Sequence, residues 1–130
     1  TAVTKPASTE GLEDAVRLMM TNLTDNAVRY TPRGGRIRVV WKRTGTGAVL
    51  TVADTGIGIS PEHLPRITER FYRVDKGRSR DTGGTGLGLA IVKHVMRRAG
   101  GELSIESTPG EGSKFMLRFP EERIFSGRYL

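Results

Sequence analysis

The sequence predicts an α+β domain in which each of two helices is followed by a pair of strands. Apolar residues recur at helical spacing before residue 30 and again after residue 88. Runs of strand character at residues 36–54 and 102–119 are each divided by a glycine-containing turn. A chain of 130 residues is long enough for one domain with its own core.

The composition favours a globular chain with an anionic ligand or partner. Hydrophobic residues make up 36% and charged residues 27%, and no apolar run or opening pattern indicates a membrane span or a signal peptide. The absence of cysteine excludes disulfides and thiolate metal sites, and it fits a reducing compartment. The formal net charge of +7 suits nucleotide phosphate or nucleic acid. The basic residues are scattered without a stacking aromatic pattern, so a nucleic-acid role rests on charge alone.

The first half predicts a helix and a hairpin. Residues 1–10 are polar and small, and we expect a poorly ordered lead-in. An amphipathic helix of about 18 residues then runs to Tyr30, where a proline and two glycines stop it. Strands at Arg36–Arg43 and Ala48–Asp54 flank a turn at residues 44–47.

The second half begins with a glycine-broken loop after Asp54. Ser60 and Pro61 suit the cap and first position of a short helix toward residue 67. Residues 74–82 are charged and should be mobile. A further helix should run to about residue 99 with Gly100 and Gly101 as its C-cap, followed by strands at 102–107 and 114–119 and a tail at 121–130.

The segment Gly83–Val92 carries four glycines in six positions and opens this last helix. Glycine lets the backbone approach a ligand closely, and the first turn of a helix offers free N–H groups and partial positive charge. This combination is typical of a phosphate site. Its GxGxG spacing matches neither the dinucleotide fingerprint nor the P-loop, and a flexible linker is the alternative.

Two further constellations point to a ligand. Asn22 and Asn26 share one helix face near the apolar stripe, and their amide oxygens suit Mg²⁺, although both side chains could instead cap neighbouring loops. Arg29 and Tyr30 follow one turn later. Asp54 ends an apolar strand, where its carboxylate could accept from the amino group of adenine or, more simply, from its own turn.

Four segments of the chain occur in a recognisable order, namely Asn22–Ala27, Asp54–Gly58, Arg70–Arg73 and Gly84–Leu89. They resemble the N, G1, F and G2 boxes of the catalytic ATP-binding domain of sensor histidine kinases, in the superfamily of gyrase, Hsp90 and MutL-type ATPases. The resemblance covers about residues 11–119, and residues 68–95 look most similar to phosphate-regulon sensor kinases.

This resemblance implies a two-layer α/β sandwich of the Bergerat ATP-binding type, with helices on one face of a mixed sheet. The domain would occupy residues 11–120, with a flexible ATP lid at residues 74–85. The family usually has one or two strands before its first helix, and ten polar residues leave little room for them here. We therefore expect the sheet to lack an edge strand or the sequence to be cut short.

The resemblance also implies ATP and Mg²⁺ as ligands. Asn26 matches the metal ligand, with Asn22 supporting metal or phosphate, and Arg73 is implied to contact the γ-phosphate. Asp54 matches the carboxylate that accepts from adenine. The other implied nucleotide contacts are Arg29 (where the family often has lysine), Tyr30, Gly56, Gly58, Arg70, Gly84, Thr85, Gly86, Leu87, Gly88 and Ser113, the last in a loop closing the adenine pocket.

The implied activity is transfer of the ATP γ-phosphate to a histidine on a separate dimerisation domain, upstream of a response regulator. We expect no nucleic-acid partner, a monomeric isolated domain on the cytoplasmic side, and a membrane-anchored, homodimeric parent protein. His63 and His94 do not match a phosphoacceptor segment, and His94 is expected to be structural. The alternatives are an ATPase or serine kinase of the same fold, a non-catalytic nucleotide-binding module and a basic nucleic-acid binder.

Overall fold

The computed structural model describes residues 7–72 and 87–120, with the side chains of the first helix described from Asp14 onward. Two helices pack on one face of a four-stranded sheet within these residues. The elements in chain order are α1 (Ala7–Tyr30), β1 (Ile37–Thr44), β2 (Gly47–Asp54), α2 (Gly88–Arg98), β3 (Glu102–Thr108) and β4 (Gly112–Pro120). This arrangement confirms the predicted α+β class and both strand pairs.

The sheet has the order β1-β2-β4-β3, and every neighbouring pair is antiparallel. The expectation of a mixed sheet is therefore wrong for the described strands. β3 runs in the same direction as β2, so direct pairing after the α2 connection would have been parallel. β4 instead lies between them and runs opposite to both.

The core lies between the helices and the sheet. Met19, Leu23 and Ala27 form the buried stripe of α1, with the spacing that places one face of a helix inward. Val92 and Met96 are buried on α2. The sheet contributes Leu50, Val52, Phe115, Leu117 and Phe119.

Two predicted boundaries differ from the structure. α1 begins at Ala7, so residues 7–10 are helical rather than disordered. Alanine and glutamate propagate a helix without being buried, which a reading based on apolar residues overlooks. The predicted short helix is also wrong, because residues 61–71 form turns and a bend without an α-helix. Pro65 has no N–H to donate to residue 61 and interrupts helical hydrogen bonding at that point.

The end of α2 agrees with the prediction. Gly100 has φ +73° and Gly101 follows it. Their N–H groups donate to the carbonyls of Arg97 and Met96 at 3.1 and 2.9 Å, respectively. These two bonds form a Schellman motif, which turns the chain into β3.

Candidate nucleotide site

Asp54 organises the loop at the end of β2. Its Oδ1 accepts from the N–H of Gly56 at 2.8 Å and from the N–H of Ser113 on β4 at 3.3 Å. Both bonds go to the same oxygen, and no described residue donates to Oδ2, which can therefore accept from another donor. The turn interpretation and the ligand interpretation of this carboxylate are therefore compatible.

Two glycines of this loop are required by close backbone approach. A Cβ on Gly56 would lie 2.3 Å from the carbonyl oxygen of Tyr30 and 2.8 Å from Oδ1 of Asp54. Gly58 has φ +77°, and a Cβ there would lie 2.2 Å from the carbonyl oxygen of Thr108. The glycines let the loop fit between the end of α1 and the β3–β4 turn.

Further hydrogen bonds join this loop to both neighbours. The N–H of Ile57 donates to the carbonyl of Tyr30 at 3.1 Å, and Ile57 accepts from the N–H of Gly110 at 2.8 Å. The predicted residues Tyr30, Asp54, Gly56, Gly58 and Ser113 are therefore brought together at one end of the sheet.

Ser113 is buried, and its hydroxyl is 2.8 Å from the hydroxyl of Ser107. Ser107 Oγ also lies 3.0 Å from the carbonyl oxygen of Gly112 and 2.7 Å from the N–H of Ile59. Ser113 thus contributes to the architecture of the loop. Sequence reasoning missed Ser107, whose only signal is a hydroxyl at the end of a strand.

The second part of the candidate site lies where α1 meets the start of α2. A Cβ on Gly88 would lie 3.4 Å from Oδ1 of Asn22. Nδ2 of Asn22 is buried without a hydrogen-bond partner in the described structure. A buried amide without a partner is unfavourable, and a ligand atom would satisfy it.

The first turn of α2 has a local chemistry that suits an anion. Leu87 occupies the N-cap without a side-chain cap hydrogen bond, and no acidic residue lies in the first turn. The first N–H groups of a helix lack intrahelical partners and carry partial positive charge. A phosphate group is a suitable acceptor for them.

The two parts lie along the same face of α1. Asn22, Asn26 and Tyr30 are spaced four residues apart, and all three are half-buried. Eight residues of α-helix span about 12 Å along the helix axis. Arg29, also half-buried, adds a cation next to this face.

The remaining predicted residues are separate from these two clusters or undescribed. Arg70 is exposed, and its guanidinium lies 5.2 Å from the centre of the Phe71 ring. Of the two histidines, His63 is half-buried, and His94 is exposed on α2 rather than packed in the core. Arg73, Gly84, Thr85, Gly86 and the predicted lid at 74–85 lie outside the described residues.

The donor set suits a metal shared with a ligand. No group of three or more His, Asp or Glu side chains that could hold a metal ion occurs in residues 7–72 and 87–120. The amide oxygens of Asn22 and Asn26 fit Mg²⁺, which keeps several waters and is usually shared with substrate phosphates. In the same two ranges, neither helix has the length and apolar character needed to cross a membrane.

A family model described as histidine kinase-, DNA gyrase B- and HSP90-like ATPase matches residues 11–123. The chain belongs to this ATPase family. The match confirms the resemblance inferred from the four sequence boxes and assigns the chain to an ATP-binding domain family.

Curated relatives of this ATPase domain are sensor proteins. The phosphate regulon sensor protein PhoR of Pseudomonas aeruginosa is 54% identical over 115 residues, covering 88% of this chain and 26% of that protein. The sensor-like histidine kinase SenX3 of Mycobacterium tuberculosis is 46% identical over 117 residues, covering 88% of this chain and 28% of its own. The chain thus spans about a quarter of the length of these relatives.

Solved structures confirm the fold of the ATPase domain. The mycobacterial sensor histidine kinase MprB has a TM-score of 0.70 at 32% identity, over 82% of this chain and 70% of that one. Full-length ShkA in complex with AMPPNP has the same TM-score and identity, over 82% of this chain and 21% of that one. The α+β sandwich is therefore that of histidine kinase catalytic domains.

Proposed function

We propose that the chain binds Mg·ATP and transfers the γ-phosphate to a histidine on a separate dimerisation domain. The observation that carries this proposal is the buried Nδ2 of Asn22, which has no hydrogen-bond partner among the described residues and lies beside the first turn of α2. The arrangement supplies N–H donors for phosphate oxygens where a helix dipole favours negative charge. The AMPPNP complex of ShkA supports a nucleotide as the ligand.

Different residues are assigned to the adenine end and to the phosphate end of the nucleotide. Oδ2 of Asp54 accepts from the adenine amino group, while Tyr30 packs beside the base. Asn26 would hold Mg²⁺ through its amide oxygen, and Asn22 would support the metal or a phosphate. When bound, Mg²⁺ supplies charge neutralisation on the phosphates. The resemblance implies that Arg73 and the lid at residues 74–85, which lie outside the described residues, would act at the phosphates.

Transfer is favoured over hydrolysis by the residue at position 22. ATPases and serine kinases of this fold carry a glutamate base four residues before the metal asparagine, and this chain has Asn22 there. An amide does not accept a proton near neutral pH. We therefore expect slow hydrolysis in the absence of the acceptor domain.

The acceptor and the downstream partner lie outside this chain. His63 is hydrogen bonded to Tyr72, and neither histidine resembles an acceptor segment. We propose a homodimeric, membrane-anchored parent kinase with this domain on the cytoplasmic side and a response regulator downstream. Names of relatives such as PhoR support this assignment.

The test combines binding with phosphotransfer. Calorimetric titration should show ATP binding that depends on Mg²⁺. Incubation with γ-labelled ATP should label a separately made dimerisation domain but not the chain itself. Stable label on His63 or His94 would contradict the proposal, as would rapid ATP hydrolysis without the acceptor domain.

A further inference from the structure

Strand β1 forms an open edge of the sheet. Among the strands that the structure describes, β1 pairs only with β2, so one side of its backbone has no ladder hydrogen bonds. An edge of this kind is a template on which another extended chain can add a strand. The side chains along the edge determine which chain fits.

The hydrogen-bond pattern shows which backbone groups face the open edge. Opposed residues of an antiparallel pair alternate between hydrogen-bonded and non-hydrogen-bonded positions. Arg36 lies opposite Thr55 in the register of β1 and β2, and its carbonyl accepts from the N–H of Thr55 at 3.0 Å. The even-numbered residues of β1 are therefore bonded to β2. The N–H and C=O groups of the odd-numbered residues Ile37, Val39 and Trp41 point away from β2, to the open edge.

The side chains of these three residues form an apolar strip on the helix-covered face of the sheet. Val39 lies opposite the buried Val52 in the register, and Trp41 packs its ring 5.8 Å from that of Phe119. Ile37 and Val39 are nevertheless 38% and 42% exposed. The core thus stops short of the edge, and apolar residues of an added strand would cover this strip.

The opposite face of β1 carries two cations, Arg38 and Lys42. Both are exposed, and neither has an ion pair within residues 7–72 and 87–120. Opposite charges across two strands attract, and like charges repel. In a second copy of β1 paired antiparallel about Val40, Arg38 would lie opposite Lys42, so these charges disfavour self-association. They favour a strand that places carboxylates opposite them.

We propose that the open edge of β1 binds an extended segment of an acidic partner protein. The segment adds an antiparallel strand, with apolar residues against the apolar strip and carboxylates against the two cations. Its pattern is acidic, apolar, any residue, apolar, acidic, apolar. Main-chain hydrogen bonds supply affinity, and the alternating side chains supply specificity. This interaction goes beyond the proposed function and does not depend on nucleotide binding.

The probe is a capped hexapeptide of this pattern, with glutamate at the acidic positions, valine at the apolar positions and threonine between. Trp41 is the single tryptophan of the chain, so its emission reports on the edge itself. The glutamate peptide should change this emission saturably, and a peptide with lysine in place of glutamate should not. N-methylation of the valines removes the donors directed at β1 and should abolish binding.

Charge reversal tests the side-chain pattern. The double variant Arg38→Glu, Lys42→Glu should bind the glutamate peptide at least about fivefold more weakly and should bind the lysine peptide instead. Lys114→Glu is the matched control, because Lys114 is exposed on the same face of the sheet but lies on β4, with β2 between it and β1. Its affinity for the glutamate peptide should stay within about twofold of wild type.

Val39→Pro tests the backbone edge. Proline removes one of the outward N–H groups at a position where an edge strand tolerates it, so the variant should fold but no longer bind the peptide. Denaturant unfolding checks the fold of each variant. If Val39→Pro does not fold, the N-methylated peptide makes the same test on the wild-type chain.

Unchanged affinity for the N-methylated peptide would overturn the proposal, as would an emission of Trp41 that does not respond to the glutamate peptide. Equal weakening in Lys114→Glu and in the double variant would show diffuse attraction of an anion rather than strand addition. Two other occupants are tested separately. Phosphatidylglycerol vesicles that bind wild type but not the double variant would identify a lipid surface, and a dimer lost in Val39→Pro would identify a second copy. Either result would refute the acidic partner segment.

Discussion

Asp54 is a single side chain to which we assign both a structural and a ligand-binding role. Its Oδ1 binds the N–H groups of Gly56 and Ser113, which shapes the loop. Its Oδ2 is the atom that we assign to the adenine amino group. From the sequence these two roles were alternatives, because residue type alone does not show which oxygen is already in use.

Asp54→Asn should change base preference without disturbing the loop. Asparagine keeps an acceptor for Gly56 but replaces Oδ2 with a donor. ATP binding should weaken by about 1.5–3 kcal/mol, or roughly 10- to 150-fold. GTP, with a carbonyl oxygen at that position of the base, should bind better than it does to wild type. Competition titrations with both nucleotides measure the change.

Asp54→Ala is the comparison, because it removes both oxygens. It should weaken ATP by a similar factor and also lower the free energy of unfolding, since the buried N–H of Gly56 loses its acceptor. Equal losses for ATP and GTP in both variants would show that Asp54 only shapes its turn.

Asn26→Ala should abolish metal-dependent ATP binding and phosphotransfer while the fold survives. The half-buried amide serves a ligand rather than the core in our assignment. Binding is measured by titration with and without Mg²⁺, and folding by the denaturant midpoint. A variant that no longer unfolds cooperatively would support a structural role instead.

At the scale of elements, the sequence predicted the features that depend on residues adjacent in the chain. The two hairpins and the glycine C-cap of α2 follow from turn residues, and the structure confirms them. The insertion of β4 between β2 and β3 depends on contacts across the whole chain and left no local signal. The cap residues Ser60 and Pro61 favour a helix locally, whereas Pro65 interrupts its hydrogen bonding four residues later.

The candidate site residues that could be predicted are those whose residue type itself suggests a role in binding or in close backbone approach. Asn22, Asp54, Gly56 and Gly58 could be chosen by type and position, and the structure places them at the two clusters described. The hydrogen bonds of Ser107 and the His63–Tyr72 bond join residue types that are common in any loop. Such pairs become visible only when the chain is folded.

The start of α2 should show opposite effects on stability and binding. Gly88→Ala adds a Cβ at ordinary contact distance, 3.4 Å from Oδ1 of Asn22. Alanine is favoured over glycine in a helix interior by about 0.8–1.0 kcal/mol, and the gain at the first helical residue should be smaller, so the variant should unfold at a slightly higher denaturant concentration. ATP should nevertheless bind more weakly, because the added methyl group obstructs the phosphate.

Gly100→Ala is the matched control at the other end of the same helix. A Cβ there meets nothing within 4 Å, but φ is +73°. The variant should lose about 1–2 kcal/mol of stability through backbone strain and keep its affinity for ATP. Chemical denaturation measures the stability of both variants, and titration measures their affinity for ATP. Equal ATP affinity in Gly88→Ala and wild type would contradict our placement of the phosphates.

At the scale of the molecule, ligand binding should raise stability by mass action. At a Mg·ATP concentration 100 times Kd, the free energy of unfolding should increase by about 2.7 kcal/mol, which raises Tm by several degrees. The Asn26→Ala variant should show little shift at that concentration. Scanning calorimetry over a nucleotide series measures both. A wild-type Tm independent of Mg·ATP would show that the folded chain does not bind it.

Because β2 is central in the sheet, the surface that we assign to the base should open far less often than the surface that we assign to the phosphates. β2 pairs along its whole length with β1 on one side and β4 on the other, and Asp54 is its last residue. Strands held from both sides open only when the whole domain unfolds, whereas the first turn of a helix frays locally. In our assignment, the base would therefore meet a stable surface, and the phosphates would meet a helix end that can fray. A nucleotide should consequently enter base first, and its residence time should be governed by the phosphate end.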